Sequence, residues 1–479
     1  MQRLLIANRG EIAIRIAQSA ADLGIETVAV YSEDDSQSLH TRAMDHAQAL
    51  QGSGPAAYLD ITGIMQAAKD AGADSVHPGY GFLAENGDFA RACAEAGLTF
   101  VGPSPESLDL FGDKVEARRL AAAHDVPLLP GTDGPTLLDV AQAFFSGLEA
   151  GTSVMLKAVA GGGGRGMRVV HNEGDLAEAF ERSQSEARTA FGRSDVFIEQ
   201  YLPHARHIEV QVLGDGTGAV IALGERDCSI QRQHQKIVEI APAPNLHPAV
   251  QARLHKAACD LAAAMQYKSL GTFEFLVDGD DQGAETTIAF LECNPRLQVE
   301  HTVTEAVTGL DLVQMQFQVA TGKTLAAVLP GKTEAPAPQG YAVQARVNME
   351  VMQPDGSARP AGGTLSAFDP PSGPGVRVDH YGYSGYRTNP RFDSLLAKVI
   401  VHSPAGDLAD ALRRTERALR RFRISGVATN LPVLQCIVAH EQVRAGAVYT
   451  RFIEENIDDL LRAPAADPLH FTATATKLE

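Results

Sequence analysis

The chain has 479 residues and is acidic, because 59 Asp and Glu outnumber 41 Lys and Arg and give a formal net charge of −18 at pH 7. This charge argues against a nucleic-acid-binding surface, which needs clustered cations, but leaves room for a small basic pocket. No run approaches the roughly 20 apolar residues of a membrane span, and the five cysteines show no CxxC spacing, which is typical of a reducing compartment. We therefore predict a cytoplasmic protein with no nucleic-acid or membrane partner.

Strand-like and helix-like patterns alternate along residues 1–112. The segment RLLIA is predicted to be a buried strand, EIAIRIAQSAADLG an amphipathic helix, and ETVAVYS a second strand. The same succession recurs in YLDITGIMQAAKDAGADSVHPG and GDFARACAEAGLTFVG. Strand, helix and strand within about 30 residues form a βαβ unit, so the pattern predicts an α/β domain with a parallel sheet.

One string in this region, GYGFLA, matches the G-x-G-x-x-A dinucleotide-binding fingerprint. It lies late in the domain rather than in the first βαβ unit, and Pro78 immediately before it favours a fixed turn. We therefore favour a structural loop over a dinucleotide site.

A second region, from residue 113 to about residue 335, contains four consecutive glycines in LKAVAGGGGRGMRVV. Two interpretations fit them: a flexible hairpin tip, or a loop whose backbone amides approach phosphate oxygens. Lys157 and Arg165 flank the glycines and favour the phosphate loop. A Walker loop is excluded because neither GKT string has the required glycine five residues earlier.

Polar residues are concentrated in the second half of this region. The segment ERDCSIQRQHQKIVEIAPAP is dense in charge, and its prolines and strand-like end favour a strand or loop lining a cleft over a charged surface helix. GTFEFLVDG and TIAFLECN are predicted to form a hairpin that brings Glu274 together with Glu292 and Asn294. Such carboxylate and amide oxygens bind Mg²⁺. The alternative is a structural ion pair, which is less favoured because neither strand contains Lys or Arg.

The residues directly after this hairpin, NPRLQVEH, place Arg296, Gln298, Glu300 and His301 close together in the sequence. A small anion held by Arg296, with Glu300 as a general base, would fit this arrangement.

A third region at 336–455 follows the Pro- and Gly-rich linker PGKTEAPAPQG. It contains Gly-rich strands, the charged helix GDLADALRRTERALRRF and a last helix around NLPVLQCIVAH. Residues 456–479 show little periodicity and are expected to be a disordered tail or a severed linker.

These segments resemble the biotin carboxylase component of biotin-dependent carboxylases, which are ATP-grasp enzymes. The similarity covers nearly all of residues 1–455 and is carried by ANRGEIAIRI, HPGYGFLAEN, MLKAVAGGGGRGMRVV, RHIEVQVLGD, ERDCSIQRQHQKIVE, ECNPRLQVEHTVTEAVTG and FDSLLAK. It implies an α/β fold with an N-terminal parallel-sheet (pre-ATP-grasp) domain at 1–112, an ATP-grasp domain at 113–335 with a mobile lid at about 130–203, and a C-terminal α+β biotin carboxylase domain at 336–455.

The resemblance also implies a reaction, in which ATP and bicarbonate form carboxyphosphate and carrier-bound biotin is carboxylated, with Mg²⁺ or Mn²⁺ as the metal. The residues expected to contact ATP are Lys114, Lys157, Gly162, Gly163, Gly164, Glu199, Leu202, His207, Gln231, His234 and Leu276. The expected metal ligands are Glu274, Glu292 and Asn294. Bicarbonate is expected to bind Lys236, Arg296, Gln298 and the backbone of Val299. Glu300 is expected to deprotonate bicarbonate and Arg346 to stabilise the biotin enolate, with Arg296 and Lys236 completing the catalytic set.

Two alternatives stay open at this point. Another ATP-grasp ligase, such as a carbamoyl-phosphate-type enzyme, would share the nucleotide site but does not account for RLQVEH together with FDSLLAK. An inactive nucleotide-binding regulatory module would lack the base or a metal ligand, and here each of these residues is present.

The expected partners follow from the same resemblance. In this family the lysine that carries biotin lies between two methionines, and the chain contains no Met-Lys-Met tripeptide. Biotin is therefore expected to arrive on a biotin carboxyl carrier domain, and the carboxyl group is expected to pass to a carboxyltransferase. Either partner belongs to the same full-length chain or to a separate subunit. The segment FRISGVATN is similar to multidomain acyl-CoA or pyruvate carboxylases, which favours a module of a larger polypeptide. The sequence does not specify the acyl acceptor, and it is compatible with a homo-oligomer.

Overall fold

The computed structural model describes residues 1–159, 166–329, 334–462 and 469. Its first elements are β1 (Arg3–Ile6), α1 (Gly10–Asp22), β2 (Glu26–Tyr31), β3 (His46–Ala49), α2 (Pro55–Tyr58), α3 (Ile61–Asp70), β4 (Ser75–His77), α4 (Gly87–Glu95), β5 (Thr99–Phe100) and α5 (Pro105–Gly112). The five strands pair in parallel in the order β3-β2-β1-β4-β5, which confirms the predicted parallel sheet. Side chains alternate between the two faces of a strand. Leu4 and Ile6 therefore pack on the α1 side of this sheet and Leu5 packs on the opposite side, so both faces are buried.

The GYGFLA string forms a loop before α4 and does not begin a helix. Gly79 has a φ of 65°, and a Cβ atom there would lie 2.8 Å from the Asn8 side chain. Asn8 Nδ2 donates to the carbonyl oxygens of Pro78 (2.7 Å) and Tyr80 (2.8 Å). The glycine therefore serves a close approach of backbone to side chain, and the structural-loop interpretation is confirmed.

Helix α6 (Lys114–Ala123) follows, and its Ala117 and Ala121 pack in the same apolar cluster as Phe273 and Phe290. A small subdomain comes next, with α7 (Leu138–Ser146), β6 (Val154–Ala158), β7 (Arg168–Val170), α8 (Leu176–Phe191) and β8 (Val196–Gln200). β6 pairs antiparallel with both β7 and β8. Phe145 of α7 and Phe180 of α8 pack on this sheet against Leu156 and Ile198, in an apolar cluster of their own. A separate core would allow this unit to move as one body, and the mobile lid at about 130–203 stays a prediction.

The next elements are β9 (Ala205–Asp215), β10 (Val220–Arg232), β11 (Gln235–Ala241), α9 (Pro248–Ala264), β12 (Lys268–Asp278), β13 (Ile288–Asn294), α10 (His301–Thr308), α11 (Leu312–Ala320) and α12 (Leu325–Val328). The charge-dense segment around Lys236 lies in β10 and β11, as a strand rather than a surface helix, and β12 and β13 form the predicted hairpin. Both expectations are confirmed.

The last elements are β14 (Tyr341–Asn348), β15 (Glu350–Met352), β16 (Ala358–Pro360), β17 (Ala367–Asp369), β18 (Val376–His380), β19 (Leu395–Ser403), α13 (Leu408–Arg421), β20 (Arg423–Ser425), α14 (Leu431–Ala439), α15 (Glu441–Arg444), α16 (Phe452–Glu455) and α17 (Ile457–Arg462). In the described part of the chain, eight strands form one antiparallel sheet in the order β13-β12-β9-β10-β11-β14-β19-β18. Because β11 pairs with β14, this sheet continues across the linker at which a domain boundary was predicted.

The first residues of the expected C-terminal tail, 457–462, form helix α17. Ile457, Leu460 and Leu461 have helical spacing in α17, and Leu460 is buried in the same apolar cluster as Leu434 and Ile437 of α14. Burial of this face explains why the helix forms. Among the described residues, no helix combines the length and the apolar content needed to cross a bilayer.

Two buried histidines make the stability of this fold depend on pH. Burial lowers the pKa of both His40 and His77 to about 4, compared with about 6.5 in an unfolded chain. Between these two pH values the unfolded chain binds more protons than the folded chain. The contribution of the two neutral imidazoles to the free energy of unfolding is therefore fully present above about pH 6.5 and is lost as the pH falls toward 4. We expect His40→Gln to flatten the fall in Tm over this range, and the exposed His46→Gln to leave it unchanged. Equal slopes in the two variants would contradict the prediction.

Candidate active site

The polar residues of the large sheet lie on one of its faces. In β9, His207 and Glu209 alternate with Ile208 and Val210, and the two apolar side chains pack in the cluster beneath α9. The polar side chains therefore point to the other face. Glu274 of β12 is the direct cross-strand partner of Glu209 and lies on this same face.

Lys236, near the start of β11, is the centre of a buried charge cluster. Its Nζ atom lies 2.5 Å from Glu209, 2.9 Å from Glu274 and 2.7 Å from Glu300. Burial alone would lower the pKa of this ammonium, but the three carboxylates raise it well above its ordinary value. One lysine therefore neutralises carboxylates from three separate parts of the chain.

Glu300, immediately before α10, is completely buried. Lys236 contacts one of its carboxylate oxygens, and a terminal nitrogen of Arg346 donates to the other at 3.0 Å. Arg346 Nε also donates to Glu239 at 2.5 Å. Burial raises the pKa of Glu300, but Lys236, Arg346 and Arg226 outweigh it and hold this pKa well below the usual range. Glu300 is therefore ionised near neutral pH, which is the state that a general base requires.

Arg296 connects this cluster to the predicted metal ligands. Its guanidinium donates to Gln298 and to the side-chain oxygen of Asn294, both at 3.0 Å, and to Glu85 at 2.5 Å. The Asn294 amide in turn donates to Glu274 at 2.8 Å. Arg296 therefore contacts the two amide side chains next to it in the sequence, and one of them, Asn294, contacts the carboxylate of Glu274 from the neighbouring strand.

Glu274 and Glu292 are direct cross-strand partners in β12 and β13 and share a face, as predicted. Each is ion-paired with a cation from outside the hairpin. Glu274 contacts Lys236 and lies 2.7 Å from His207, and Glu292 lies 2.9 Å from Lys114. The predicted strand segments GTFEFLVDG and TIAFLECN contain no Lys or Arg, but that was insufficient reason to set aside an ion pair, because the cations come from other elements. Two carboxylates and an amide oxygen still suit a hard cation, so the metal role stays a prediction.

Two other groups among the described side chains have metal-ligand spacing, namely His207 with Glu209 and Glu274, and Glu209 with Cys228 and Glu300. Lys236 contacts carboxylates of both groups, so an ammonium already supplies positive charge there. Burial also raises the pKa of Cys228 well above its ordinary value, and a protonated thiol is a poor ligand. We assign neither group to a metal.

The predicted phosphate-binding lysines both hold carboxylates. Lys157 of β6 is buried and ion-paired with Glu199 of β8, and Arg118 contacts the same carboxylate at 3.2 Å. Lys114 begins α6 and contacts Glu292. To contact a phosphate, each of these two lysines must break its ion pair or interact with the phosphate and the carboxylate together. The glycines at 162–164 lie outside the described residues.

The other predicted nucleotide contacts lie around the edge of this face. Gln231 Nε2 lies 2.6 Å from His207 Nδ1, and the half-buried Leu276 is the cross-strand partner of His207. His234 is exposed in the turn between β10 and β11, and Leu202 is half-buried between β8 and β9. Their roles in ATP binding stay predictions.

Sequence reasoning missed Glu209, Glu239 and Arg226. Arg226 is completely buried, is ion-paired with Glu209 and donates to Thr304 at 2.8 Å. A signal for Glu209 was available, because RHIEVQVLG alternates polar and apolar residues with period two and its polar positions include a carboxylate. Arg226 and Glu239 lie in the charge-dense segment ERDCSIQRQHQKIVE, which was predicted to line a cleft, but the pattern did not indicate which partners these two side chains would contact.

Comparison with known proteins agrees with this architecture. Three family profiles match successive segments: the biotin carboxylase N-terminal domain at 1–108, the carbamoyl-phosphate synthase L chain ATP-binding domain at 113–328, and the biotin carboxylase C-terminal domain at 344–455. Pyruvate carboxylase of Staphylococcus aureus is 46% identical over 95% of this chain and 39% of its own length. Mitochondrial pyruvate carboxylase of Mus musculus is 46% identical over 97% of this chain and 39% of its own length. The chain therefore spans about two fifths of these relatives.

Solved structures align over nearly the whole chain. The biotin carboxylase domain of a single-chain bacterial carboxylase is 47% identical, with a TM-score of 0.85 and coverage of 96% of this chain and 98% of that one. The corresponding domain of Hydrogenobacter thermophilus 2-oxoglutarate carboxylase, solved with MgADP, ADP and bicarbonate, is 40% identical, with a TM-score of 0.88 and the same coverage.

The fold and these relatives define a biotin carboxylase architecture, in which two biotin carboxylase domains flank an ATP-binding domain. The chain belongs to the biotin carboxylase family. Biotin carboxylase profiles match on both sides of the ATP-binding region, which does not support the carbamoyl-phosphate-type alternative.

Proposed function

We propose that the chain uses ATP to carboxylate biotin with bicarbonate, as the first half-reaction of a larger biotin-dependent carboxylase. The observation that carries this proposal is the position of Glu300. Its carboxylate is buried between Lys236 and Arg346, and the turn that holds it begins at Arg296 and Gln298. The site therefore offers a base and several anion-binding cations within one small volume.

Bicarbonate is proposed to bind Lys236, Arg296, Gln298 and the backbone of Val299, beside Glu300. Glu300 takes the bicarbonate proton, and a bicarbonate oxygen then forms a bond to the γ-phosphorus of ATP as the bond to ADP breaks. The product is carboxyphosphate. Since these side chains are largely buried, they also keep water from the easily hydrolysed intermediate.

The second stage transfers the carboxyl group to biotin. Carboxyphosphate separates into CO₂ and phosphate, the phosphate removes the N1′ proton of biotin, and the biotin enolate attacks CO₂. Arg346 is proposed to stabilise the enolate, and its contacts with Glu239 and Glu300 hold its guanidinium in place. The protein contributes mainly position and charge, as in phosphoryl transfer generally.

Glu274, Glu292 and Asn294 are the residues proposed to hold Mg²⁺ or Mn²⁺, because their oxygens suit a hard cation and lie together in the β12–β13 hairpin. When bound, such an ion would neutralise charge on the ATP phosphates. Glu274 would then exchange its contact with Lys236 for the metal, leaving Lys236 for bicarbonate.

Partners, domain limits and location are also proposals. Domains at 1–112, 113–335 and 336–455 are supported by the family profiles, which break near the same positions. A carrier domain and a carboxyltransferase, in the same full-length chain or a separate subunit, are supported by relatives more than twice as long as this chain. Pyruvate or an acyl-CoA is the proposed final acceptor. A cytoplasmic location and a homo-oligomer stay predictions.

The deciding experiment measures phosphate release from ATP with and without bicarbonate, and with either free biotin or a separate biotinylated carrier domain. We expect release to require bicarbonate and to be faster with the carrier, because tethering raises the effective concentration of biotin. Mass spectrometry should detect carboxylated carrier. Release that depends on ammonia instead of bicarbonate would support the carbamoyl-phosphate-type reaction and contradict the proposal.

The metal assignment predicts a specific effect of Glu292→Gln. We expect the Mg²⁺ concentration at half-maximal activity to rise at least about tenfold. Losing a residue that only contacts a metal ligand typically costs about 10–100-fold in affinity, and Glu292 is itself a proposed ligand. Glu416→Gln on α13 is a matched control, because Glu416 is also a partly exposed carboxylate paired with a cation. If Glu292→Gln lowers Tm and leaves the Mg²⁺ dependence unchanged, the pair with Lys114 is purely structural.

A further inference from the structure

One fully buried lysine holds the backbone of the turn that carries Glu300. Lys398 of β19 has no exposed surface, and its Nζ atom donates to the carbonyl oxygen of Val299 at 3.1 Å. The same ammonium lies 3.0 Å from Glu11 and 3.8 Å from Asp379. The lysine therefore joins this turn to α1 and to β18.

The placement of Lys398 is specific. Lys398 and Arg346 are direct cross-strand partners in β14 and β19. These neighbouring strands thus present two cations to two consecutive residues: Lys398 to the Val299 carbonyl and Arg346 to the Glu300 carboxylate. Because a peptide unit is planar, fixing the Val299 carbonyl also fixes the backbone nitrogen of Glu300.

The ammonium of Lys398 is also connected to a helix and a loop of the N-terminal region. Glu11 of α1 accepts a hydrogen bond from the Tyr80 hydroxyl, and Tyr80 lies in the GYGFLA loop. A chain of contacts therefore runs from this loop through Glu11 and Lys398 to the turn at Val299 and Glu300. Burying an ammonium is costly, and a buried ion pair is weak evidence for a stabilising role. Its contacts instead point to a role in orientation.

We propose that Lys398 is a positioning residue for bicarbonate, acting through the peptide between Val299 and Glu300. This inference rests on the proposed function, because it assigns bicarbonate to that turn. Loss of the ammonium lets the turn rotate, which misplaces the Val299 backbone and the base together. Among the described residues, the proposed ATP contacts lie on α6, β6, β8, β9, β10 and β12 and in the connections after β8 and β10, so this rotation does not displace them.

The test compares Lys398→Met with the double variant Lys398→Met/Glu11→Gln, which also removes the carboxylate left without its cation. Arg9→Met is the matched control, since it removes another buried cation paired with a buried carboxylate, Asp35. In both Lys398 variants we expect the KM for bicarbonate to rise at least tenfold relative to the wild type and the KM for MgATP to stay within twofold. Arg9→Met should lower Tm without raising the bicarbonate KM.

Hydrogen exchange provides a readout that does not depend on catalysis. In the Lys398 variants, amides of residues 296–303 should exchange faster, with little change in β1 and β2. An unchanged bicarbonate KM, or unchanged exchange at 296–303, would overturn the proposal even if Tm fell. If the wild type shows no bicarbonate-dependent ATP hydrolysis, the proposed function fails separately, and exchange at 296–303 still decides whether Lys398 holds the turn.

Discussion

Glu300→Gln is expected to reduce bicarbonate-dependent phosphate release by about 100- to 10,000-fold, which is the usual effect of losing a general base. The KM for MgATP should stay near the wild-type value, because the proposed ATP contacts are on other elements. The amide still accepts a hydrogen bond from Lys236 or Arg346, but its NH₂ group faces the other cation. We therefore also expect a moderate fall in Tm.

The matched control for this variant is Glu225→Gln. Glu225 is also a buried carboxylate of the large sheet, but it pairs with His255 and Gln251 of α9. We expect this control to retain turnover even if its Tm falls. Wild-type phosphate release in Glu300→Gln would remove Glu300 from the reaction.

The cations around Glu300 impose a condition on its role as a base. Because Lys236 and Arg346 hold the pKa of Glu300 well below its usual range, the carboxylate binds a proton weakly in this arrangement. Loosening of one of these contacts as the substrate enters would raise the pKa of Glu300 and make it a stronger base. Lys236 is well placed for this, because it already shares its charge with Glu209 and Glu274.

Much of the fold could be predicted from local patterns. Period-two and helical spacing identified the parallel strands, the long helix α13 and the β12–β13 hairpin, because each of these depends on neighbouring residues in the sequence. The pairing of Glu274 with Glu292 followed directly from that hairpin. The resemblance to a known family added the roles of residues whose chemistry a pattern alone cannot assign.

The charge partners could not be predicted in the same way. Glu274 is neutralised by Lys236 from β11 and Glu292 by Lys114 from α6, and both contacts depend on the three-dimensional packing. The pairing of β11 with β14 across the linker is likewise a long-range contact, and it brings Arg346 beside Glu239. Local sequence patterns do not encode such pairings, which is why the buried network around Glu300 was only partly anticipated.

Lys236→Met should have the largest effect on stability among the site variants. The substitution leaves Glu209, Glu274 and Glu300 buried without the ammonium that contacts all three. Removing one partner from a buried ion pair typically costs about 3–5 kcal/mol, and here one cation serves three carboxylates. We expect a clear fall in the free energy of unfolding, measured by urea denaturation, together with loss of bicarbonate-dependent turnover.

A second substitution separates stability from catalysis in this variant. Glu209 keeps its contact with Arg226 when Lys236 is removed, so Lys236→Met/Glu209→Gln deletes one excess negative charge while the introduced amide oxygen can still accept from that arginine. We expect the double variant to recover part of the lost stability but none of the bicarbonate-dependent turnover, because the proposed anion-binding ammonium is still absent. Lys256→Met removes an exposed lysine that is paired with Asp260 at the surface of α9, and it should change neither quantity. Recovery of turnover along with stability would mean that Lys236 acts only by neutralising buried charge and does not bind bicarbonate.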